Sequence, residues 1–67
     1  MTVQDLMIKC DDNQIIRICD YVFRCKEYFH GRCEDIPLDV QYMSVEEIIP
    51  FNTNRYGEIL ILKVSNV

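Results

Sequence analysis

The segment EILILKV, residues 58 to 64, constrains the fold of this chain more than any other part of its sequence. Positions 59 to 62 are all apolar, so in a strand, whose side chains alternate between two faces, both faces would be apolar. That pattern is typical of a central strand covered from two sides. A chain of 67 residues has room for one small domain, residues 1–67, built around one sheet.

Three further segments predict strands. IIRIC, residues 15 to 19, is rich in β-branched residues and would place Ile16 and Ile18 on one side and Ile15 and Arg17 on the other. FRCKEYFHGRC, residues 23 to 33, alternates over its length and predicts a long strand with its odd positions buried. VEEIIPF, residues 45 to 51, is joined to the EILILKV strand by NTNRYG, whose Asn and Gly residues predict a hairpin loop.

Two short helices complete the predicted architecture. Thr2 and Asp5 are spaced as a variant capping box, which predicts a helix over 3–9, although a strand is the rival interpretation. Pro37 suits the first turn of a helix over roughly 37–43. The fold class is therefore α+β, with a four-stranded, mostly antiparallel sheet, a short N-terminal helix and a one- to two-turn helix between strands 2 and 3.

The second face of this sheet is informative because two short helices cannot cover both sides. Ile15, Ile59 and Ile61 would project from it beside charged residues. We expect this face to be half solvated, or to meet another subunit or a target.

Charge and targeting signals limit the partners. The chain has 11 acidic and 7 basic side chains, a net charge of -4, with the acids dispersed, which disfavours unspecific nucleic-acid binding. No segment approaches the roughly 18 apolar residues that cross a bilayer, and the N-terminus lacks the pattern of a signal peptide. We expect a protein of the bacterial host cytoplasm that does not bind membranes and whose cysteines are thiols.

The cysteines and the single histidine invite a chemical interpretation. Cys25, His30 and Cys33 resemble part of a zinc site, but the chain has no C-x2-C pair, so we expect no metal and no cofactor. Cys33 and His30 are three residues apart and would point to opposite faces of a strand, so we expect no enzyme activity. A disulfide between Cys19 and Cys25 is conceivable across the first hairpin, but a reducing compartment disfavours it.

A basic and aromatic stripe is the more specific candidate site. The even positions of the second strand would form one row, and Arg17 of the neighbouring strand could join it. The residues of the second strand are Arg24, Lys26, Tyr28, His30 and Arg32. Such a stripe could bind a phosphate, a nucleotide or single-stranded nucleic acid. The alternative is a solvated sheet surface with ion pairs to the surplus acids.

Four segments together resemble very small proteins encoded by phages, prophages and other mobile elements of Firmicute bacteria: MTVQDLM, FHGRCEDIP, VEEIIPF and EILILKV. The resemblance spans most of the chain but includes no catalytic signature. It implies a possible anti-defence role, because members of this group with known roles frequently inhibit host defence systems, anti-CRISPR proteins among them.

These observations lead to one main functional hypothesis. We expect a non-catalytic binding protein that inhibits a host protein or ribonucleoprotein, specifically a bacterial defence component, through the face around Ile59 and Ile61 or through the stripe. The alternatives are a small nucleotide or nucleic-acid binding module that uses the stripe, and a structural homodimer. We expect a homodimer in any of these cases, because so small a core has little stability in reserve.

Overall fold

The computed structural model describes residues 1–23, 25–55 and 57–65. Its elements follow the predicted order and confirm the α+β fold class. They are α1 (Val3–Met7), β1 (Ile15–Asp20), β2 (Glu27–Arg32), a 3-10 turn (Cys33–Asp35), α2 (Leu38–Gln41), β3 (Ser44–Thr53) and β4 (Gly57–Ser65).

The four strands form one sheet in the order β2-β1-β4-β3. The two outer pairs, β1 with β2 and β3 with β4, are antiparallel, whereas the central pair, β1 with β4, is parallel. The segment between β2 and β3, which contains α2, makes the crossover that a parallel pair requires. The prediction of a mostly antiparallel sheet is confirmed, and so is the central position of the EILILKV strand.

The core lies between one face of the sheet and the helices. Ile16 and Ile18 of β1 and Leu62 and Val64 of β4 are all fully buried. They pack in one cluster with residues from the helical segments, namely Val3, Cys33, Ile36 and Val40. Both helices therefore cover the same face, and the expectation that β4 is covered from two sides is wrong for the part of the chain that the structure describes.

Local hydrogen bonds explain where α1 begins and how it is attached. The Thr2 amide donates to Asp5 Oδ2 at 3.0 Å, and the Asp5 amide donates to Thr2 Oγ1 at 3.3 Å, so the predicted capping box is present. The Val45 amide donates to the carbonyl oxygen of Met1 at 2.8 Å and ties the N-terminus to β3. Both helices are shorter than predicted, and Pro37 lies just before α2 as its N-cap.

The long strand predicted over 23–33 is wrong. β2 begins only at Glu27, and Phe23 and Cys25 are exposed in the preceding loop instead of buried on one side. Two loop hydrogen bonds explain the difference: the Asp20 amide donates to the carbonyl oxygen of Lys26, and the Lys26 amide donates to that of Phe23. These bonds hold Lys26 in a turn against Asp20 and Phe23, so Phe23 does not extend the strand.

Candidate functional site

The candidate site is the side of the sheet opposite the helices, called here the open face. The strand register and the alternation of side chains define its members. They are Ile15, Arg17 and Cys19 of β1; Glu27, His30 and Arg32 of β2; Glu47, Ile49 and Phe51 of β3; and Ile59, Ile61 and Lys63 of β4.

The side of the open face formed by β3 and β4 is largely apolar. Phe51 is 53% exposed, Ile49 and Ile61 are half-buried, and Ile59 is buried by its neighbours in the sheet. Among the residues that the structure describes, no helix lies on this side. Ile59 and Ile61 therefore occupy the face where the sequence placed them, and a partner that covered it would remove apolar surface from water.

A groove lies at one end of the open face. Its volume is about 560 Å³, and it is lined by Tyr21, Val22, Glu47, Ile49 and Lys63. Tyr21 and Val22 belong to the loop that follows β1, so this loop continues the open face beyond the end of the sheet. The groove thus combines apolar walls with one acidic and one basic side chain.

The loop after β1 presents three consecutive apolar side chains to solvent. Val22 is 72% exposed and Phe23 is 67% exposed, with Tyr21 beside them. Consecutive exposed apolar residues are uncommon on a protein surface without a functional reason. The start of this loop is tied to β4, since the Tyr21 amide donates to the carbonyl oxygen of Val64 at 2.8 Å.

Asp20 organises this loop. Its Oδ2 accepts from the amides of Phe23 at 2.7 Å and Val22 at 2.9 Å, and its Oδ1 accepts from the Tyr28 hydroxyl at 2.7 Å. The bond from the Phe23 amide, followed by that from Tyr28, lowers the pKa of Asp20 below its usual value. The same contact raises the pKa of Tyr28. Asp20 is therefore a carboxylate whose hydrogen bonds hold the apolar loop in place.

Sequence reasoning missed this loop. The segment DYVF did carry a signal, because an Asp whose side chain can accept from amides two and three residues later is typical of a turn. The apparent alternation of residues 23 to 33 hid that signal.

The two contact surfaces predicted from the sequence meet on this one face. Arg17, His30 and Arg32 of the stripe share the open face with Ile59 and Ile61. The complete row, however, does not form. The register shifts between Ile18 and Cys19, so Glu27 faces Cys19 and Tyr28 packs against the core.

The remaining stripe residues lie elsewhere. Lys26 precedes β2, and its Nζ stands 5.1 Å from the centroid of the Tyr28 ring. Arg24 lies outside the described residues. The prediction of one continuous row is therefore wrong. One extra residue in β2 at the bulge exchanges the faces to which the preceding residues of the strand point.

The basic side chains of the open face have acidic neighbours. Arg17 Nε lies 3.3 Å from Glu27 Oε1, and His30 Nδ1 lies 3.6 Å from the same oxygen. Arg32 contacts Glu34 at 2.8 Å and Asp35 at 3.5 Å. The ion pairs of Arg17 and Arg32 reduce the positive potential that a phosphate group would meet.

The histidine and the cysteines are separated by the fold. Cys33 is buried in the core, Cys25 is exposed in the loop, and His30 lies on the open face. All four cysteines are unpaired, and burial raises the pKa of the thiols of Cys10 and Cys33. Within the described residues, no group of three His, Cys, Asp or Glu side chains is placed to hold a metal ion.

Comparison with known proteins adds no relative. No protein-family model matches the chain, and no curated protein or solved structure matches it. None of the helices in the described residues is long and apolar enough to cross a membrane.

Proposed function

We propose that this protein is a non-catalytic binding protein that inhibits a host macromolecule by covering part of its surface with the open face. The observation that carries this proposal is an apolar sheet face that the described residues leave uncovered, with Phe51 and Ile61 accessible. A two-layer domain gains from covering such a face, and a partner can do so.

The composition of the face favours a protein surface as the partner. Accessible apolar residues beside charged ones are common at protein interfaces, and large aromatic side chains carry much of the binding energy there. Phe51, together with Tyr21 and Val22 at the groove, supplies such side chains.

Nucleic acid is a weaker candidate partner for the same face. Arg17 and Arg32 already contact acidic side chains of this chain, so a phosphate would have to compete with Glu27, Glu34 and Asp35. The ion pairs of Arg17 and Arg32 support this order of candidates.

A bacterial defence component is the proposed target. This part of the proposal rests on the resemblance of the chain to small proteins of phages and other mobile elements. The proposal needs no catalytic group, because a surface inhibitor has only to cover a site that its target uses.

The proposal is tested by measuring phage plaquing on bacterial strains that each carry one defence system and express this protein. We expect the unaltered protein to restore plaquing against at least one system. Ile61→Glu should abolish the effect, because it places a charge at the centre of the apolar surface that must be desolvated on binding.

Leu38→Glu is the matched control for this experiment. Leu38 is 62% exposed on α2, on the opposite side of the molecule, and its replacement adds the same charge. This variant should restore plaquing as well as the unaltered protein does. The proposal would be refuted if the unaltered protein restored plaquing against no system, or if both variants behaved alike while remaining folded by circular dichroism.

A further inference from the structure

We infer that the open face is occupied, in the free protein, by the open face of a second copy of this chain in a two-fold symmetric dimer. The dimer does not depend on the proposed function. The consequence of the dimer for inhibition does rest on the proposed function. A target and a second copy would compete for one surface, so dissociation of the dimer would precede inhibition.

The distribution of charge favours association of two copies through the open face over association through the rest of their surface. The charged members of the open face at pH 7 are Arg17, Arg32, Lys63, Glu27 and Glu47, which sum to +1. The whole chain carries -4, so the rest of the surface carries -5. Averaged over the rest of the surface, two copies therefore repel each other more than they do through this face.

The strand register arranges the open face in three rows that cross all four strands. The middle row holds Ile49, Ile61, Arg17 and His30. On its hairpin side lie Phe51, Ile59, Ile15 and Arg32, and on its groove side lie Glu47, Lys63, Cys19 and Glu27. Neighbouring rows are about 6.6 Å apart, because two residues of a strand separate them.

Consider a two-fold axis that lies between the two sheets and runs along the middle row. This axis brings the two outer rows, which differ in composition, into contact. It places each strand over its own counterpart in the opposite direction, so the hairpin-side row of one copy meets the groove-side row of the other. Phe51, which is 53% exposed, then lies over the groove beside Glu47 of the second copy. At the other margin Arg32 of one copy lies over Glu27 of the other.

Both contacts occur twice in such a dimer, because the symmetry repeats each of them. One placement of the axis gives two apolar insertions and two contacts between Arg32 and Glu27. The middle row meets itself, so Ile61 lies over Ile61, and Arg17, which contacts Glu27 of its own chain, lies over Arg17. The approximate alignment of the two sheets is also the usual one for sheets that pack face to face.

Pairing through the β3 edge of the sheet is a poorer route to a dimer. β3 is an outer strand, and Pro50 lies near its middle, opposite Leu60 of β4. Proline has no amide hydrogen, so the outer edge of β3 lacks a donor where an added strand would need one. This favours association through the face.

The size of the face sets the expected strength of the dimer. Four strands and three rows span roughly 19 Å by 20 Å, so two copies would bury about 800 Å² plus the side chains of the two loops. This is below the roughly 1,200 Å² at which the range of stable interfaces begins, and it is typical of weak, transient association. We therefore expect a reversible dimer with a dissociation constant in the micromolar range, which a target could displace.

Sedimentation equilibrium of the purified protein from about 10 µM to about 1 mM tests the inference. The unaltered protein should shift from monomer to dimer over this range. Ile61→Glu should raise the dissociation constant at least about 100-fold, because the symmetry buries the added charge twice. Leu38→Glu, which carries the same added charge on the helix side, should dimerise like the unaltered protein.

Phe51→Ala gives a second test that removes side-chain volume without adding charge. It should raise the dissociation constant about tenfold or more, because the aromatic side chain in each groove is lost. The inference is overturned if the unaltered protein is monomeric at about 1 mM, if Ile61→Glu and Phe51→Ala dimerise normally, or if Leu38→Glu is as monomeric as Ile61→Glu.

The two proposals fail separately. Sedimentation uses the protein alone, so a monomer there would overturn the dimer and leave the plaquing test of the open face unaffected. Conversely, a dimer that restores plaquing against no defence system would retain the self-association and refute the inhibitory function.

Discussion

Adjacent residues of β4 should differ several-fold in their contribution to stability, because they point to opposite faces of the sheet. Leu62 is fully buried in the core, whereas Ile61 is half-buried on the open face. Leu62→Ala should lower the free energy of unfolding by about 3 kcal/mol, within the usual range for a buried Leu→Ala change that leaves a cavity. A domain of 67 residues has a total of roughly 3–10 kcal/mol, so this one change removes a third of it or more.

Ile61→Ala should cost only about 1 kcal/mol, because part of the side chain is already in contact with water and no closed cavity forms. Urea unfolding followed by circular dichroism measures both values. With a slope of about 1 kcal/mol per molar urea, the midpoint should fall by about 3 M for Leu62→Ala and about 1 M for Ile61→Ala. The protein concentration should be kept low, so that the monomer is observed.

Equal losses at the two positions would refute the reasoning, because they would mean that both faces of β4 are covered in the monomer. A loss at Ile61 that grows with protein concentration has a different meaning. It would show that association covers the open face, since a dimer is stabilised by mass action and its monomer is not.

Two further predictions follow from the backbone of one turn and the charge of one side chain. Gly57 has a φ of +71° and nothing within 4 Å of the position of an added Cβ, so Gly57→Ala should lower the free energy of unfolding by about 1 kcal/mol through backbone strain alone. Thermal unfolding should show a smaller loss of stability for Gly57→Asn. Equal losses for the two variants would contradict this account. The pKa of Asp20 is lowered in the folded state from its ordinary 3.8, so its contribution to stability is present above that value and is lost as the pH falls through the folded pKa. Melting temperatures measured from about pH 7 to about pH 2 should therefore fall less steeply for Asp20→Asn than for the unaltered protein, and identical pH profiles would contradict the role of this carboxylate.

Local patterns in the sequence determined the elements and their order. The spacing of Thr2 and Asp5 predicted the start of α1, and the Asn and Gly residues of the NTNRYG segment predicted the β3–β4 hairpin. Alternation in β1 assigned Ile16 and Ile18 to one face and Ile15 to the other. These features depend on residues a few positions apart, so a single chain segment contains the information they need.

The tertiary structure decided what the candidate site contains. The bulge opposite Ile18 and Cys19 turned Tyr28 towards the core and brought Glu27 beside Arg17, which alternation along one strand could not indicate. The parallel pairing of β1 with β4 likewise brought Ile61 level with Arg17, merging two surfaces predicted separately. The physical reason is that register and strand order depend on contacts between residues far apart in the chain. One inserted residue also moves every side chain on one side of the bulge to the opposite face of the sheet.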